Sequence, residues 1–155
     1  MILNTKKIYG RFIGQPIYAE DLFSNLSPTT RKKIALIQER KEIKEGEIIS
    51  KIGSFPKNIS VLIEGKAQIS LRNELNKKNN SRFVEKGEII GLTQFFSNSP
   101  NEMNIVALSP CFLDVIVAED FLKFLKNEPL VCFRLLSQLS LDIQSSYQTF
   151  SSMFF

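Results

Sequence analysis

Five glycines, Gly46, Gly53, Gly65, Gly87 and Gly91, each follow or split a short β-type run of this chain. Between them lie Ile48-Ile49, Ile59 to Ile63, Ala67 to Leu71, Arg82 to Val84 and Ile89-Ile90, and further runs follow at Asn104 to Ala107 and Phe112 to Val117. Glycine at strand ends marks backbone that takes a positive φ or is approached too closely for a side chain. No long helix survives such punctuation. Short strands joined by tight turns predict instead a jelly-roll-like antiparallel β-barrel over Glu42 to Val117, because a sheet of this kind buries its apolar face by closing on itself. The polar run Asn73 to Ser81 reads as the exposed loop of a hairpin.

Helical periodicity flanks the strands, so the expected fold is mainly β with flanking helices and a long C-terminal helix. Ser27 before Pro28 is an N-cap followed by proline at the first helical position, and Ile34, Leu36 and Ile37 supply the inward face of a helix that ends near Gln38. Phe121, Leu122 and Leu125 fit a second short helix, broken at Asn127-Glu128-Pro129. The last helix is expected over 129–150. In it Cys132, Leu136, Leu139, Ile143, Tyr147 and Phe150 recur at spacings of four and three, with Val131 and Leu135 beside them. Part of that stripe covers the barrel, and Leu136, Leu139, Ile143 and Tyr147 are the expected seam of a homodimer. Residues 1–20, with Gly10, Gly14 and Pro16, read as an N-terminal arm, and 21–155 as one domain including the C-terminal helix.

Composition narrows the chemistry. The 155 residues include no histidine, which removes imidazole metal ligation, histidine base catalysis and a Ser-His-Asp triad. Two cysteines cannot ligate an iron–sulfur cluster, and Cys111 and Cys132 sit in apolar runs where reduced thiols are the ordinary outcome. No metal or prosthetic group is expected, and the chain is not expected to be an enzyme. No apolar run approaches the ~20 residues of a membrane helix, and the first residues lack the three-part pattern of a signal peptide. The expected location is cytoplasmic, away from membranes. Up to Pro100 there are 17 basic and 10 acidic residues, and beyond it 3 and 6. The basic clusters are short and mixed with acids, as on a solvated surface rather than in a nucleic-acid groove.

Quoted in place, the glycines stand in Lys44-Glu-Gly46-Glu-Ile-Ile-Ser-Lys-Ile-Gly53, in Val61-Leu-Ile-Glu-Gly65-Lys-Ala-Gln-Ile and in Lys86-Gly87-Glu-Ile-Ile-Gly91. From Phe23 to Phe150 this resembles the cyclic-nucleotide-binding domain family, which includes the catabolite activator proteins and the regulatory subunits of cAMP-dependent kinase. The resemblance implies a ligand site for cAMP or cGMP in a phosphate-binding cassette. In that family a Gly-Glu opens a short helix, and a loop then ends in Pro-Arg-x-Ala-x-Val-x-Ala; the arginine and helix N–H groups hold the phosphate, and the glutamate binds the ribose 2′-hydroxyl.

The corresponding run is Gly91-Leu92-Thr93-Gln94-Phe95-Phe96-Ser97-Asn98-Ser99-Pro100-Asn101-Glu102-Met103-Asn104-Ile105-Val106-Ala107. Gly91, Pro100, Ile105 and Ala107 match the pattern. Leu92 replaces the glutamate, Asn101 the arginine and Met103 the small residue that gives the phosphate room, while Glu102 adds negative charge. Late in the last helix, Ser146 and Tyr147 fall at the register of the adenine-contacting pair. A different alignment would recruit Glu88 as the cassette glutamate, at the cost of an overlong loop and a misplaced Gly91.

Three readings follow. The first is a non-catalytic sensor domain with a drifted pocket. The second is a true cyclic-nucleotide receptor, acting in signal transduction or transcription regulation, that uses Thr93, Asn101 and neighbouring N–H groups. The third is an enzyme of the related double-stranded β-helix shape, opposed by the lack of histidine. Transcription factors of the family continue from the long helix into a helix-turn-helix; this chain ends before such an element, so direct DNA reading is not expected.

Overall fold

The structure, a computed structural model, describes residues 16–71 and 81–140. Two short helices, α1 (Ala19–Phe23) and α2 (Pro28–Ile37), precede strands β1 (Gln38–Ile43), β2 (Ile48–Ser50), β3 (Asn58–Glu64), β4 (Ala67–Leu71), β5 (Ser81–Phe83) and β6 (Ile89–Ile90). Helix α3 (Leu92–Ser97) leads to β7 (Met103–Ala107) and β8 (Cys111–Val117), followed by α4 (Ala118–Asn127) and by α5 over 129–140. The strands form two four-stranded sheets in the orders β1-β8-β3-β6 and β2-β7-β4-β5, with every pairing antiparallel. This is the jelly-roll-like arrangement that the glycine spacing predicts.

The glycines do the predicted work. All five adopt positive φ, between 84° and 104°. Gly65, in the turn from β3 to β4, also has no room: a Cβ there would overlap the Pro110 carbonyl oxygen and lie 2.7 Å from Cys111 Cα. That proximity lets the β7–β8 turn lock onto the β3–β4 turn, with Leu108 N–H donating to the Lys66 carbonyl at 2.7 Å and Lys66 N–H donating to Ser109 Oγ at 2.9 Å.

Strand β1 was not foreseen as a strand. Its sequence, Gln-Glu-Arg-Lys-Glu-Ile, has no β-type composition, and all but Ile43 are exposed. Tertiary pairing decides its conformation: six residues align with β8, and Arg40 makes a two-pronged contact with Asp114 at 2.8 and 3.1 Å.

Two apolar clusters result. One fills the barrel with Leu62, Ala67, Ile69, Val84, Ile90, Ile105, Ala107, Cys111, Leu113 and Val115. The other lies where the helices cover β3 and β6, around Leu22, Ile59, Leu92, Phe121, Leu125, Val131 and Leu135. Cys111 is buried and Cys132 half-buried, both as free thiols.

The helices form where expected but turn differently. Ser27 caps α2, its Oγ accepting from Thr30 N–H at 3.2 Å. Ile34 and Ile37, three apart, lean on the helical core, whereas Leu36 points away and is 85% exposed. In α4 the buried residues are Ala118, Phe121, Phe124 and Leu125, and Leu122 is half-buried. In α5 the inward positions are Val131 and Leu135, with Cys132 and Leu139 packed partly against the same cluster. Leu136 and Phe133 are 57% and 68% exposed. Ile143, Ser146, Tyr147 and Phe150 lie outside the described residues, as does the loop between β4 and β5.

Residues 17–19 flank β6 on its free edge. Ala19 N–H donates to the Gly87 carbonyl and Ile89 N–H to the Ile17 carbonyl, both at 2.8 Å, and Tyr18 bridges Glu88. Arg134 of α5 then donates to the carbonyls of Leu22 and Ser24 at the end of α1, at 3.1 and 2.6 Å. No helix among the described residues is long and apolar enough to cross a membrane.

Candidate functional site

The cassette follows directly from β6. Gly91 leaves the strand at φ 93° and becomes the N-cap of α3; a Cβ at this point would stand 2.9 Å from the Asn58 carbonyl oxygen. Only glycine therefore lets the start of α3 lie against the start of β3. Helix α3 ends at Asn98 in the left-handed region (φ 50°), where Asn98 N–H donates to the Phe95 carbonyl at 3.2 Å.

The chain then runs back along the β2–β3 loop and is stitched to it. Asn101 N–H donates to the Ser54 carbonyl and Gly53 N–H to the Asn101 carbonyl, both at 2.8 Å. The Asn101 side-chain amide donates to Ser54 Oγ at 3.2 Å. Asn104 Oδ1 accepts from Ile52 N–H at 2.9 Å. Two of the sequence-selected residues thus hold the cassette to the neighbouring loop.

Beneath this loop lies a cavity of about 450 Å³ between the sheets, within the size range of small-molecule sites. Its walls combine apolar side chains such as Ile43, Ile90, Leu113 and Val115 with Asn58, Ser60 and Asn101. Of the selected residues, Gly91 and Asn101 line it. Leu92 does not: it is 2% exposed within the helical core. Thr93, Pro100 and Glu102 are exposed and do not line the cavity, and Met103 packs partly against the barrel core.

Glu88 has another task. Buried at 3% exposure, it accepts from Arg82 Nη2 at 2.5 Å and Nη1 at 3.1 Å, and from Glu85 N–H at 2.9 Å. With both oxygens held inside the fold by Arg82 and the Glu85 N–H, and with Glu88 outside the cavity lining, this carboxylate serves an internal ion pair, which argues against the alignment that recruits it to the cassette.

Sequence reasoning missed three lysines that line the cavity, Lys41, Lys51 and Lys57. The signal that would have found Lys41 is the register of β1, since Lys41 faces Leu113 and Ile43 faces Cys111. The composition of residues 38–43 does not announce a strand, so the sequence alone does not reveal that register. Among the described residues, no group of three or more Cys, Asp or Glu side chains is placed to hold a metal ion.

The architecture recurs in solved structures. Catabolite activator protein of Thermus thermophilus matches with a TM-score of 0.73 at 18% identity, over 86% of this chain and 62% of that one. This chain therefore spans less than two thirds of that protein. The N-terminal domain of a transcriptional regulator from Streptomyces coelicolor matches with a TM-score of 0.68 at 20% identity, over 83% and 91%. A cAMP-binding acyltransferase of Mycobacterium smegmatis matches at 0.62 and 17%, over 87% of this chain and 40% of that enzyme. Among curated proteins, none matches the chain in sequence. The sequence profile of the cyclic nucleotide-binding domain, however, covers residues 40–128, the span that carries both sheets, the glycine turns and the cassette. With more than half of its length matched to that profile, the chain belongs to the cyclic nucleotide-binding domain family.

Proposed function

We propose that this is a non-catalytic regulatory domain whose cassette does not anchor a cyclic phosphate in the family's manner. The observation that carries the reading is the position of the two replaced residues. Leu92, in place of glutamate, is packed into the helical core, and Asn101, in place of arginine, spends its amide on Ser54. Losing one charged partner to phosphate and one to ribose removes about 1.5–3 kcal/mol each. Together that is a loss of about a hundred- to ten-thousand-fold in affinity.

Calorimetric titration with cAMP and cGMP tests the reading, with dissociation constants expected at roughly high micromolar or weaker. Low-micromolar binding by the unaltered protein would overturn it in favour of a genuine cyclic-nucleotide receptor. Asn101→Arg returns the missing cation at a position that lines the cavity, and about ten-fold tighter cAMP binding is expected.

The domain acts as a homodimer in this reading. Support comes from the exposed apolar row Leu130, Phe133 and Leu136 on α5, each more than half exposed. Sedimentation of the protein and of Leu136→Glu is the test: a wild-type monomer at high micromolar concentration contradicts it.

A further inference from the structure

The cavity has a one-sided charge. Lys41 of β1, Lys51 after β2 and Lys57 before β3 line it, and no carboxylate does. The register places Lys41 opposite Leu113, on the sheet face that carries Leu113 and Val115 of the barrel core. Its neighbour Arg40 points to the other face and pairs with Asp114. Glu39 shares the face of Lys41, but it is exposed and outside the cavity lining. Among the described residues, none of the three lysines forms an ion pair.

Charges of one sign lining an apolar-walled hollow create a field that favours an entering anion more than it would on open surface. The rim adds a second preference. Phe55 and Ile48, both lining the cavity, are each 57% exposed. Large apolar side chains at the mouth of a hollow supply contact for a flat apolar body.

We propose that this cavity is the receptor site for a small amphipathic anion, a carboxylate or phosphate monoester carried on an apolar ring. Its charged group sits among Lys41, Lys51 and Lys57, and its ring lies against Leu113, Val115 and Phe55. The site rests on the reading of the domain as a regulatory module whose cassette does not anchor a cyclic phosphate, and deepens it. Cations from β1 and the β2–β3 loop take over from the arginine that the cassette lacks, so the ligand is anchored from the β1 side of the hollow.

The test titrates the full chain with 2-naphthoate, 1-naphthyl phosphate and neutral 2-naphthol at pH 7, followed by fluorescence and calorimetry, with cAMP as a parallel arm. At least one of the two anions is expected to bind ten-fold or more tightly than 2-naphthol, and the tighter of the two identifies the head group. In the variant Lys41→Gln/Lys51→Gln/Lys57→Gln that preference is expected to vanish while 2-naphthol binding stays unchanged. The substituted positions are exposed, and circular dichroism and the unfolding midpoint confirm that the variant is folded. Equal binding of all three naphthalenes, no binding of any, or an anion preference that survives in the triple variant overturns the proposal. The cAMP arm separates the two readings: low-micromolar cAMP binding refutes the drifted cassette whether or not it needs the lysines, whereas the naphthalene series alone judges the lysine site.

Discussion

Gly65 and Gly46 offer a controlled comparison, because both hold positive φ, 104° and 86°, but only one is crowded. An alanine at Gly46 would meet nothing within 4 Å, whereas at Gly65 its Cβ would meet the Pro110 carbonyl oxygen, Cys111 Cα at 2.7 Å and Cys111 Sγ at 2.8 Å. The left-handed backbone costs an L-residue about 1–2 kcal/mol, offset by up to about 1 kcal/mol from the stiffer unfolded chain. Gly46→Ala should therefore lose about 1 kcal/mol. Gly65→Ala carries the same term plus overpacking of about 1–3 kcal/mol, for a total of about 2–4 kcal/mol. In urea, with a slope of about 1–3 kcal/mol per molar, the second variant should lower the midpoint by at least twice as much as the first. Removing Cys111 Sγ as well, in Gly65→Ala/Cys111→Ala, should not restore the midpoint, since the nearest obstacles are backbone atoms. Equal midpoint losses in the two single variants would refute the claim that close approach, beyond φ alone, demands glycine at Gly65.

Other expectations follow from the ion pairs and titrating groups. Glu88→Gln keeps the shape but leaves Arg82 facing a neutral amide in a site where the arginine side chain is 24% exposed; a loss of about 2–4 kcal/mol is expected in chemical unfolding, and a loss under ~0.5 kcal/mol would show the pair to be dispensable. The hydrogen bond to Glu85, then desolvation, push the Tyr18 phenol up to about 12. A raised acid favours the protonated form in the folded state, so the margin by which the native protein exceeds Tyr18→Phe should be full below pH 10 and fade toward pH 12, as melting curves would reveal. The Lys33 hydrogen bond, followed by that from Thr30, holds the Glu128 carboxyl below its ordinary range. Its contribution should be present at neutral pH and disappear as the solution is acidified through the carboxylate range, so that Glu128→Gln and the native protein converge in melting temperature under acid.

How much of this was legible depended on whether a residue's neighbours lie close in sequence. Gly46, Gly53, Gly65, Gly87 and Gly91 could be read because positive φ is a local demand that few residue types meet, and α2 because Ser27 and Pro28 announce its start within one turn. Leu36 was misplaced because hydrophobicity marks which residues are apolar but not which side of a helix faces the core; Ile34 and Ile37 won that competition. The replacements at Leu92 and Asn101 were visible from their spacing, but the burial of Leu92 and the link from Asn101 to Ser54 depend on packing. The lysine-lined side of the cavity was hidden more deeply, because it needs the pairing of residues 38–43 with residues 111–116, far along the chain.

The composition that concealed β1 also protects the molecule. Among the described residues it is the outermost strand of its sheet, paired with β8 on one side only, and so presents a row of backbone donors and acceptors to a passing chain. A strand of Gln-Glu-Arg-Lys-Glu meets a second copy of itself with stacked charge, a long solvated fringe and no apolar strip to bury, which makes sheet-to-sheet growth unfavourable. Sequence features that weaken the local preference for a strand thereby make it a safe one to leave at an open border. Replacing those charges with valine and threonine would raise the intrinsic strand tendency and, by the same change, expose a template for aggregation.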